Sequence, residues 1–402
     1  MAQCWPSLGI GSTWIHTGAV EVQLEESQTR FIAAIEASLA RHDSKLEEIN
    51  QTIWSNPELA YEEHDAHNNI CKFFEDLNDP DYSIRRQAYG LETAFEIEFK
   101  HGTEPGRTVA FNAEYDALPG MGHACGHNLI ATSSIAAFLA TCDYTVRLLG
   151  TPAEESGGGK CHLLDAGAYK DHPSLLSIVT AAKGGFLAND KVKVTFTGKP
   201  AHAAVAPWEG INALDAVVAA YVNISLLRQQ LLPSQKVHGV IVNGGDRPNV
   251  IPMSASVDYY IRSPTIKTLK PLTEKIVKCF ESAATATGCT VDFEWGPSYA
   301  DLKTNTPICE SYVVFSVPAQ DRSGGGSTDM GNVSYAVPGF HGIFTIATDG
   351  VNHTPQFTAG VGSLESYRRA MHCAAGMAVV ACRILDDDSF AEEVKVDFEK
   401  DL

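Results

Sequence analysis

The 402-residue sequence has no long hydrophobic run, no cluster of Lys and Arg and no internal repeat. No uninterrupted apolar stretch reaches the roughly 18 residues that a membrane-spanning helix requires. The formal net charge is −19, and phosphate recognition needs clustered basic residues. We therefore expect the protein to bind neither membrane nor nucleic acid.

The N-terminus also lacks the basic start, continuous apolar core and cleavage site of a secretory signal. Ten cysteines are scattered along the chain instead of being framed in a small module, which favours reduced thiols over a disulfide framework. These two features predict a cytoplasmic protein.

The length fits two domains, or one domain interrupted by another. We predict that residues 1–23 form an irregular N-terminal extension. Helical periodicity follows from Glu25 to Trp54 and from His64 to Leu77. The run R-T-V-A-F-N-A-E-Y is apolar through its centre, as is typical of a strand buried on both faces of an α/β sheet.

Around Asn189 the pattern changes, because K-V-K-V-T-F-T-G alternates polar and apolar residues like an antiparallel strand with one wet face. A helix, two strands and a second helix follow, which completes most of a β-α-β-β-α-β order. We predict an α/β domain with a mixed sheet over residues 24–188 and 305–402. It is interrupted by a smaller ferredoxin-like α+β domain over residues 189–304.

The run from Asn112 to Asn128 reads N-A-E-Y-D-A-L-P-G-M-G-H-A-C-G-H-N. Asp116 follows the buried strand, at the end where open α/β sheets place their ligands. Cys125 and His127 lie two residues apart on a glycine-bearing turn, and such side chains suit zinc or manganese. The alternative is a buried cysteine beside a hydrogen-bonded core histidine.

Glu154 and Glu155 stand at the end of the next predicted strand, in P-A-E-E-S-G-G-G. Adjacent carboxylates repel, so their joint burial would need a cation. In an extended segment, one can face a metal while the other faces water, as amide hydrolysis requires. The alternative is two solvated acids before a glycine-rich loop.

Four more residues, far from these two runs in the sequence, are candidates for binding the metal or the substrate. His353, in V-N-H-T-P-Q-F, could close a metal site from the far end of the chain. His202, in G-K-P-A-H-A-A, could reach a substrate from the interrupting domain, with Asn249 and Arg262 as further polar candidates. The alternatives are a surface or core histidine, a loop-capping histidine, an asparagine turn and a strand-end surface arginine.

These strings resemble the aminoacylase, carnosinase and hippurate-hydrolase family of dinuclear metallopeptidases, in particular its dipeptidase-like amidohydrolase branch. The resemblance spans about Ile49 to Val380. It rests on N-P-E-L-A-Y-E-E, A-E-Y-D-A-L-P-G-M-G-H-A-C-G-H-N, T-P-A-E-E-S-G-G-G-K, G-K-P-A-H-A-A, G-I-N-A-L-D-A, R-P-N-V-I-P, G-S-T-D-M-G-N-V-S and N-H-T-P-Q-F.

By this resemblance, Cys125 would bridge two metal ions and His127 would bind one of them. Glu155 and His353 would hold the other, and Glu154 would be the general base and acid. The implied cofactor is Zn²⁺ or Mn²⁺, with one or two ions per chain.

The family fold implies a phosphorylase/hydrolase-like catalytic domain with a lid domain at residues 189–304, which often pairs two subunits. We accordingly expect a homodimer formed through the lid. His202 and Asn249, with Arg262, would steady the carboxylate or oxyanion of a small-molecule substrate.

One position departs from the family pattern. The family carries a metal-binding histidine in a segment resembling A-H-P-G, where this chain reads T-A-A-K-G-G with Lys183. A lysine ammonium has no lone pair to offer a metal, but it could replace one metal's charge. His172, eleven residues earlier, is a conceivable substitute ligand, and an alignment offset with a normal site is the other alternative.

Three functions remain open from the sequence. The favoured one is a metal-dependent amidohydrolase or dipeptidase that cleaves an N-acyl amino acid or a short dipeptide. The second is a biosynthetic relative that forms or rearranges an amide or imine, with Lys183 polarising a carbonyl or forming a Schiff base. The third is a non-catalytic relative that binds amino-acid-like ligands or a partner subunit.

Overall fold

The computed structural model describes residues 14–17, 20–23, 26–101, 106–170, 176–179, 185–313 and 325–400. Lys183 and His172 lie outside these ranges, so their predicted roles stay predictions. The chain divides into two compact units. The second unit comprises Gly185–Leu302 and Gly324–Gly331, and the first comprises the rest.

The N-terminal segment is not wholly irregular. Strands β1 (Trp14–Thr17) and β2 (Val20–Gln23) pair antiparallel. The prediction of an irregular extension was therefore wrong for these residues. W-I-H-T and V-E-V-Q are rich in β-branched and aromatic residues, which favour extended backbone.

The core of the first unit is a six-stranded mixed sheet, which confirms the predicted fold class. Its strands are β3 (Tyr82–Arg86), β4 (Phe95–Phe99), β5 (Val109–Ala113), β6 (Val146–Gly150), β7 (Leu176–Val179) and β12 (Gly339–His341). The order is β12-β7-β5-β6-β4-β3. Strands β12, β7, β5 and β6 are mutually parallel, and β4 and β3 are antiparallel to their neighbours.

Helices complete this unit. They are α1 (Glu26–Ser55), α2 (His64–Leu77), α3 (His127–Leu139), α4 (Gly159–Asp165), α7 (Thr306–Val313), α9 (Pro355–Val361), α10 (Leu364–Asp386) and α11 (Asp388–Glu399). Helix α8 (Met330–Ser334) begins in the second unit and ends in the first. Every residue of α3 is buried, and α3 packs against α1 and α10. The hydroxyls of Thr132, Ser133 and Ser134 donate to main-chain carbonyl oxygens, so α3 can be buried on every side.

The carboxyl ends of β5 and β6 are neighbours in the sheet. The two strands are parallel, and their last residues, Ala113 and Gly150, are paired in register. Glu114 and Asp116 follow β5, and the Glu154–Glu155 pair follows β6 a few residues later. The topology therefore brings both acidic segments to one edge, as the sequence predicted.

The second unit has a ferredoxin-like α+β fold, also as predicted. Its elements are β8 (Ala188–Thr197), α5 (Ala213–Leu227), β9 (Lys236–Asn243), β10 (Ser254–Ser263), α6 (Ile266–Thr287) and β11 (Thr290–Trp295). The sheet order is β11-β8-β10-β9, and all pairs are antiparallel. Both helices pack on the sheet over a core of its own.

Two further findings concern the whole described chain. No helix in the described ranges is both long and apolar enough to cross a membrane. Nine of the ten cysteines lie in the described part, and all nine are free thiols.

Candidate active site

Three predicted metal ligands come together at the carboxyl edge of the sheet. The donor atoms of Cys125, His127 and Glu155 all lie within 4.8 Å of one another. The approach depends on Gly126, whose φ of +86° is a left-handed conformation that glycine adopts without strain. This residue turns the chain sharply between Cys125 and the start of α3 at His127.

His127 is oriented by the main chain and side chain of Asp116. Its Nδ1 lies 2.8 Å from the carbonyl oxygen of Asp116 and 3.0 Å from its Oδ1. The other nitrogen, Nε2, lies 3.6 Å from Glu114 Oε2 and 3.8 Å from Glu154 Oε2. A proton held on Nδ1 leaves the Nε2 lone pair for a metal, which is the usual way a second partner fixes a ligating histidine.

The buried acidic groups around His127 favour a positive charge among them. Burial raises the pKa of the Cys125 thiol to about 12, although His127 partly offsets this. Burial alone would lower the pKa of His127, but the Asp116 carboxylate reverses this and raises it well above its usual value. A buried thiol is a good ligand only as the thiolate, which a divalent ion stabilises strongly.

Glu154 and Glu155 face different partners. Glu154 is only 8% exposed and lies beside His127. Glu155 is half-buried, and its amide donates a hydrogen bond to Asp116 Oδ2 at 3.0 Å. Its Oε1 lies 3.7 Å from Nε2 of His353. The alternative of two fully solvated acids is inconsistent with this burial.

His353 reaches the site from a segment far away in sequence. Its amide donates a hydrogen bond to the carbonyl of Ala124 at 2.9 Å, and its φ is +65°. Neighbouring Asn352 donates its side-chain amide to the sulfur of Cys125 at 3.7 Å. The thiol of Cys125, the imidazole of His127 and the carboxylate of Glu155 form a donor set that zinc and manganese accept, so the residues present fit a metal. His353 lies next to this set through Glu155 but is not part of the cluster.

The chain is similar to known proteins along nearly its whole length. The chain is 43% identical over 386 residues to an Xaa-Arg dipeptidase of Mus musculus, covering 88% of this chain and 89% of that one. It is 40% identical over 394 residues to an Xaa-Arg dipeptidase of Homo sapiens, covering 89% of each. Residues 189–287 match the peptidase dimerisation domain of the M20 family.

The chain belongs to the M20 family of metallopeptidases. This membership makes it an enzyme of the metal-dependent amidohydrolase class. The fold also resembles a solved dinuclear metal-binding peptidase of the M20 family from Bacillus subtilis. That similarity has a TM-score of 0.63 at 21% identity and covers 85% of this chain and 98% of the other.

Within the M20 dimerisation domain, two predicted substrate residues lie close together. The amide of Ala203, next to His202, donates to the carbonyl of Asn249 at 3.0 Å. The ring Nδ1 of His202 accepts from the amides of Ala204 and Val205 at 3.2 and 3.3 Å. This leaves Nε2 for another partner, although the same bonds also suit a loop-capping histidine.

Arg262 is less available. Its guanidinium donates to the hydroxyl of Ser327 at 2.7 Å, inside the same unit. A substrate contact by Arg262 stays a prediction, as do those of His202 and Asn249.

Sequence reasoning missed a buried ion pair in this M20 site. Lys160 is fully buried, and its Nζ lies 2.7 Å from Glu114 Oε1. Burial lowers the pKa of nearby His341, at the end of β12, to about 4, so this imidazole is neutral at pH 7. Lys160 ends the string T-P-A-E-E-S-G-G-G-K, but nothing in its local pattern shows that its partner is Glu114.

Proposed function

We propose that this M20 enzyme hydrolyses dipeptides, and that Cys125, His127, Glu155 and His353 hold its metal. The observation that carries the proposal is the convergence of three donor atoms within 4.8 Å, beside the buried carboxylate of Glu154. A divalent ion held there would polarise the scissile carbonyl and increase the acidity of water.

Glu154 is the proposed general base. Its carboxylate takes a proton from the attacking water and gives it to the nitrogen of the leaving amine. Because the Glu154 side chain is buried, its carboxylate is poorly solvated, and this favours transfer of a proton to it. Asp116 supports this step indirectly, since it orients His127 and accepts the amide proton of Glu155.

Dipeptides with a C-terminal arginine are the proposed substrates. Support comes from the two Xaa-Arg dipeptidases, which are similar to this chain along nearly its whole length. The ion is proposed to be Zn²⁺ or Mn²⁺, because both accept mixed thiolate, imidazole and carboxylate ligands.

The active form is proposed to be a homodimer built through the second unit. The match to a dimerisation domain supports this, together with apolar side chains exposed on one helix and on an edge strand of that unit. His202, Asn249 and Arg262 belong to the same unit, and they are proposed to contact the substrate.

The first test is the metal content of protein purified without added metal or chelator, followed by a dipeptide assay. We expect at least one equivalent of metal per chain. We also expect kcat/KM for an Xaa-Arg dipeptide to exceed that for the matching Xaa-Glu dipeptide at least about tenfold. Protein that holds no metal even after supplementation, and cleaves neither dipeptide, would refute the proposal.

Variants of the two adjacent glutamates separate their roles. Glu154→Gln should lower kcat by about 10²–10⁴-fold and keep its metal. Glu155→Gln should instead lose metal affinity, because it removes a ligand. Equal metal loss in both variants would contradict the assignment of Glu154 as base.

The altered-site alternative concerns Lys183. If this lysine replaces a ligand, Lys183→His should raise the metal content from one ion to two. If neither metal content nor rate changes, the alignment of this segment with the family is offset.

A further inference from the structure

Glu63 occupies the N-cap position of α2, where a short polar side chain usually accepts hydrogen bonds from the first turn of the helix. The longer Glu63 side chain makes no such bond. The carboxylate of Glu58 takes that role, accepting from the amides of Asp65 and Ala66 at 2.9 Å each. The Glu63 side chain is fully buried, so some other contact must hold it there.

That contact is made with the loop that carries the Glu154–Glu155 pair. Glu63 Oε1 accepts the amide proton of Ala153 at 2.9 Å, and Oε2 accepts the hydroxyl proton of Thr93 at 2.7 Å. Ala153 immediately precedes the pair and is itself fully buried. Glu63 and Ala153 are 90 residues apart, so this bond ties two distant segments together.

Ala153 adopts a conformation that alanine seldom takes. Its φ is +60°, in the left-handed region, where the Cβ atom is crowded. Such a conformation persists only where the surroundings impose it, and it is typical of functional sites. A buried carboxylate that accepts the Ala153 amide is such a constraint.

A second bond from the same segment holds the other end of this loop. The hydroxyl of Tyr61 donates to the carbonyl of Gly157 at 2.7 Å. The loop from Ala153 to Gly157 is thus held at both ends by residues of the N-P-E-L-A-Y-E-E string. Between these two points lie Glu154, beside His127, and Glu155, beside His353.

We propose that Glu63 is a positioning residue for the Glu154–Glu155 pair, holding the left-handed turn at Ala153 through a hydrogen bond to its amide. It acts through the backbone and touches neither the substrate nor the metal ligands. The inference rests on the proposed function only for the roles of Glu154 and Glu155.

Two substitutions of similar size separate positioning from simple burial. Glu63→Gln keeps an oxygen that can accept the Ala153 amide, and its NH₂ group can donate to Thr93. Glu63→Met fills the same space without any acceptor. We expect Glu63→Gln to keep kcat within about threefold, and Glu63→Met to lower kcat about 10- to 100-fold with little change in KM, as for other misplaced catalytic groups.

Glu58→Met is the matched control. Like Glu63→Met, this substitution removes two accepted hydrogen bonds. They are the bonds from the amides of Asp65 and Ala66, and the bond from the Ala153 amide to Glu63 is left in place. We expect it to lower the Tm and to leave the kcat of folded, metal-loaded protein unchanged within about threefold. If Glu58→Met lowers kcat as much as Glu63→Met, the effect is a general loosening of the turn and the inference is wrong.

Amide hydrogen exchange at Ala153, measured on metal-free protein, gives a readout that does not depend on turnover. Exchange should be at least about tenfold faster in Glu63→Met than in wild type, and near the wild-type rate in Glu63→Gln. Unchanged exchange together with unchanged kcat in Glu63→Met would overturn the inference and leave the dipeptidase proposal standing. If wild type binds no metal and cleaves nothing, the proposed function fails, while exchange still decides whether Glu63 holds the turn.

Discussion

Three residues other than glycine carry a positive φ in the segments that build the site. They are Tyr61, Ala153 and His353, with φ values of +66°, +60° and +65°. Such a backbone costs about 1–3 kcal/mol per residue, which the surrounding contacts must offset. Each of the three makes a hydrogen bond to a distant segment, to Gly157, Glu63 and Ala124 respectively.

A pH effect on stability follows from Glu63. Burial raises its pKa from the ordinary 4.5 to about 7, and the Asp116 charge adds to this, while the hydrogen bond from Thr93 works against it. Tyr115 also lies nearby, but its own pKa is raised well above 10, so it stays neutral. The folded state therefore binds the proton more tightly than the unfolded state does.

The resulting stabilisation is fully present below pH 4.5 and is lost as the pH rises through 7. Glu63→Gln removes this dependence. Relative to the variant, wild type should lose up to about 3 kcal/mol of unfolding free energy between pH 4.5 and pH 8. Urea unfolding of metal-free protein at both pH values measures the difference, and parallel pH profiles for the two proteins would contradict the expectation.

At the scale of elements, α4 and the loop before it are packed too closely for any side chain at two positions. A Cβ on Gly157 would lie 2.4 Å from the Tyr61 ring. A Cβ on Gly159, the first residue of α4, would lie 1.8 Å from the carbonyl oxygen of Pro152. This second neighbour is main chain, so it cannot rotate away.

Gly159→Ala should therefore lower the unfolding free energy by about 2–4 kcal/mol and displace the Glu154–Glu155 pair. The control is Gly106→Ala, because a Cβ on Gly106 meets nothing within 4 Å. Gly106→Ala should change stability by no more than about 0.5 kcal/mol. Denaturant unfolding and metal content of both variants provide the test, and equal stability of the two would show that the loop can move.

At the scale of the whole molecule, the second unit exposes an apolar surface of two parts. Val240, Ile241 and Val242 are exposed on β9, an edge strand of its sheet. The other part is a stripe on α5, made of Val218, Tyr221, Val222 and Leu226. An exposed apolar edge strand is a template for pairing with another chain, which fits the proposed homodimer.

Val222→Lys should disrupt this dimer. The matched control is Val396→Lys on α11 of the first unit, since the two valines are 47% and 44% exposed. At the same micromolar concentration, we expect Val222→Lys to sediment as a monomer and Val396→Lys to remain a dimer. The reason is that a buried unpaired lysine costs several kcal/mol at an interface. A dimer that survives Val222→Lys would exclude α5 from the interface.

The sequence by itself determined most of the elements and most of the proposed ligand set. Helix α2 has the predicted bounds, because its apolar periodicity and the preceding Asn56-Pro57 are local signals. Cys125, His127 and Glu155 could be predicted together because each follows a recognisable strand or turn. The pairing of β5 with β6 then brings them to one edge.

Only the tertiary structure decided the contacts that support those ligands. Glu63 stands directly before α2 in sequence, yet its carboxylate accepts a hydrogen bond from an amide 90 residues away. Lys160 and Glu114 form a buried ion pair that neither local pattern indicates. Hydrogen bonds and ion pairs of this kind depend on which segments the fold brings together, and periodicity or local propensity carries no information about that.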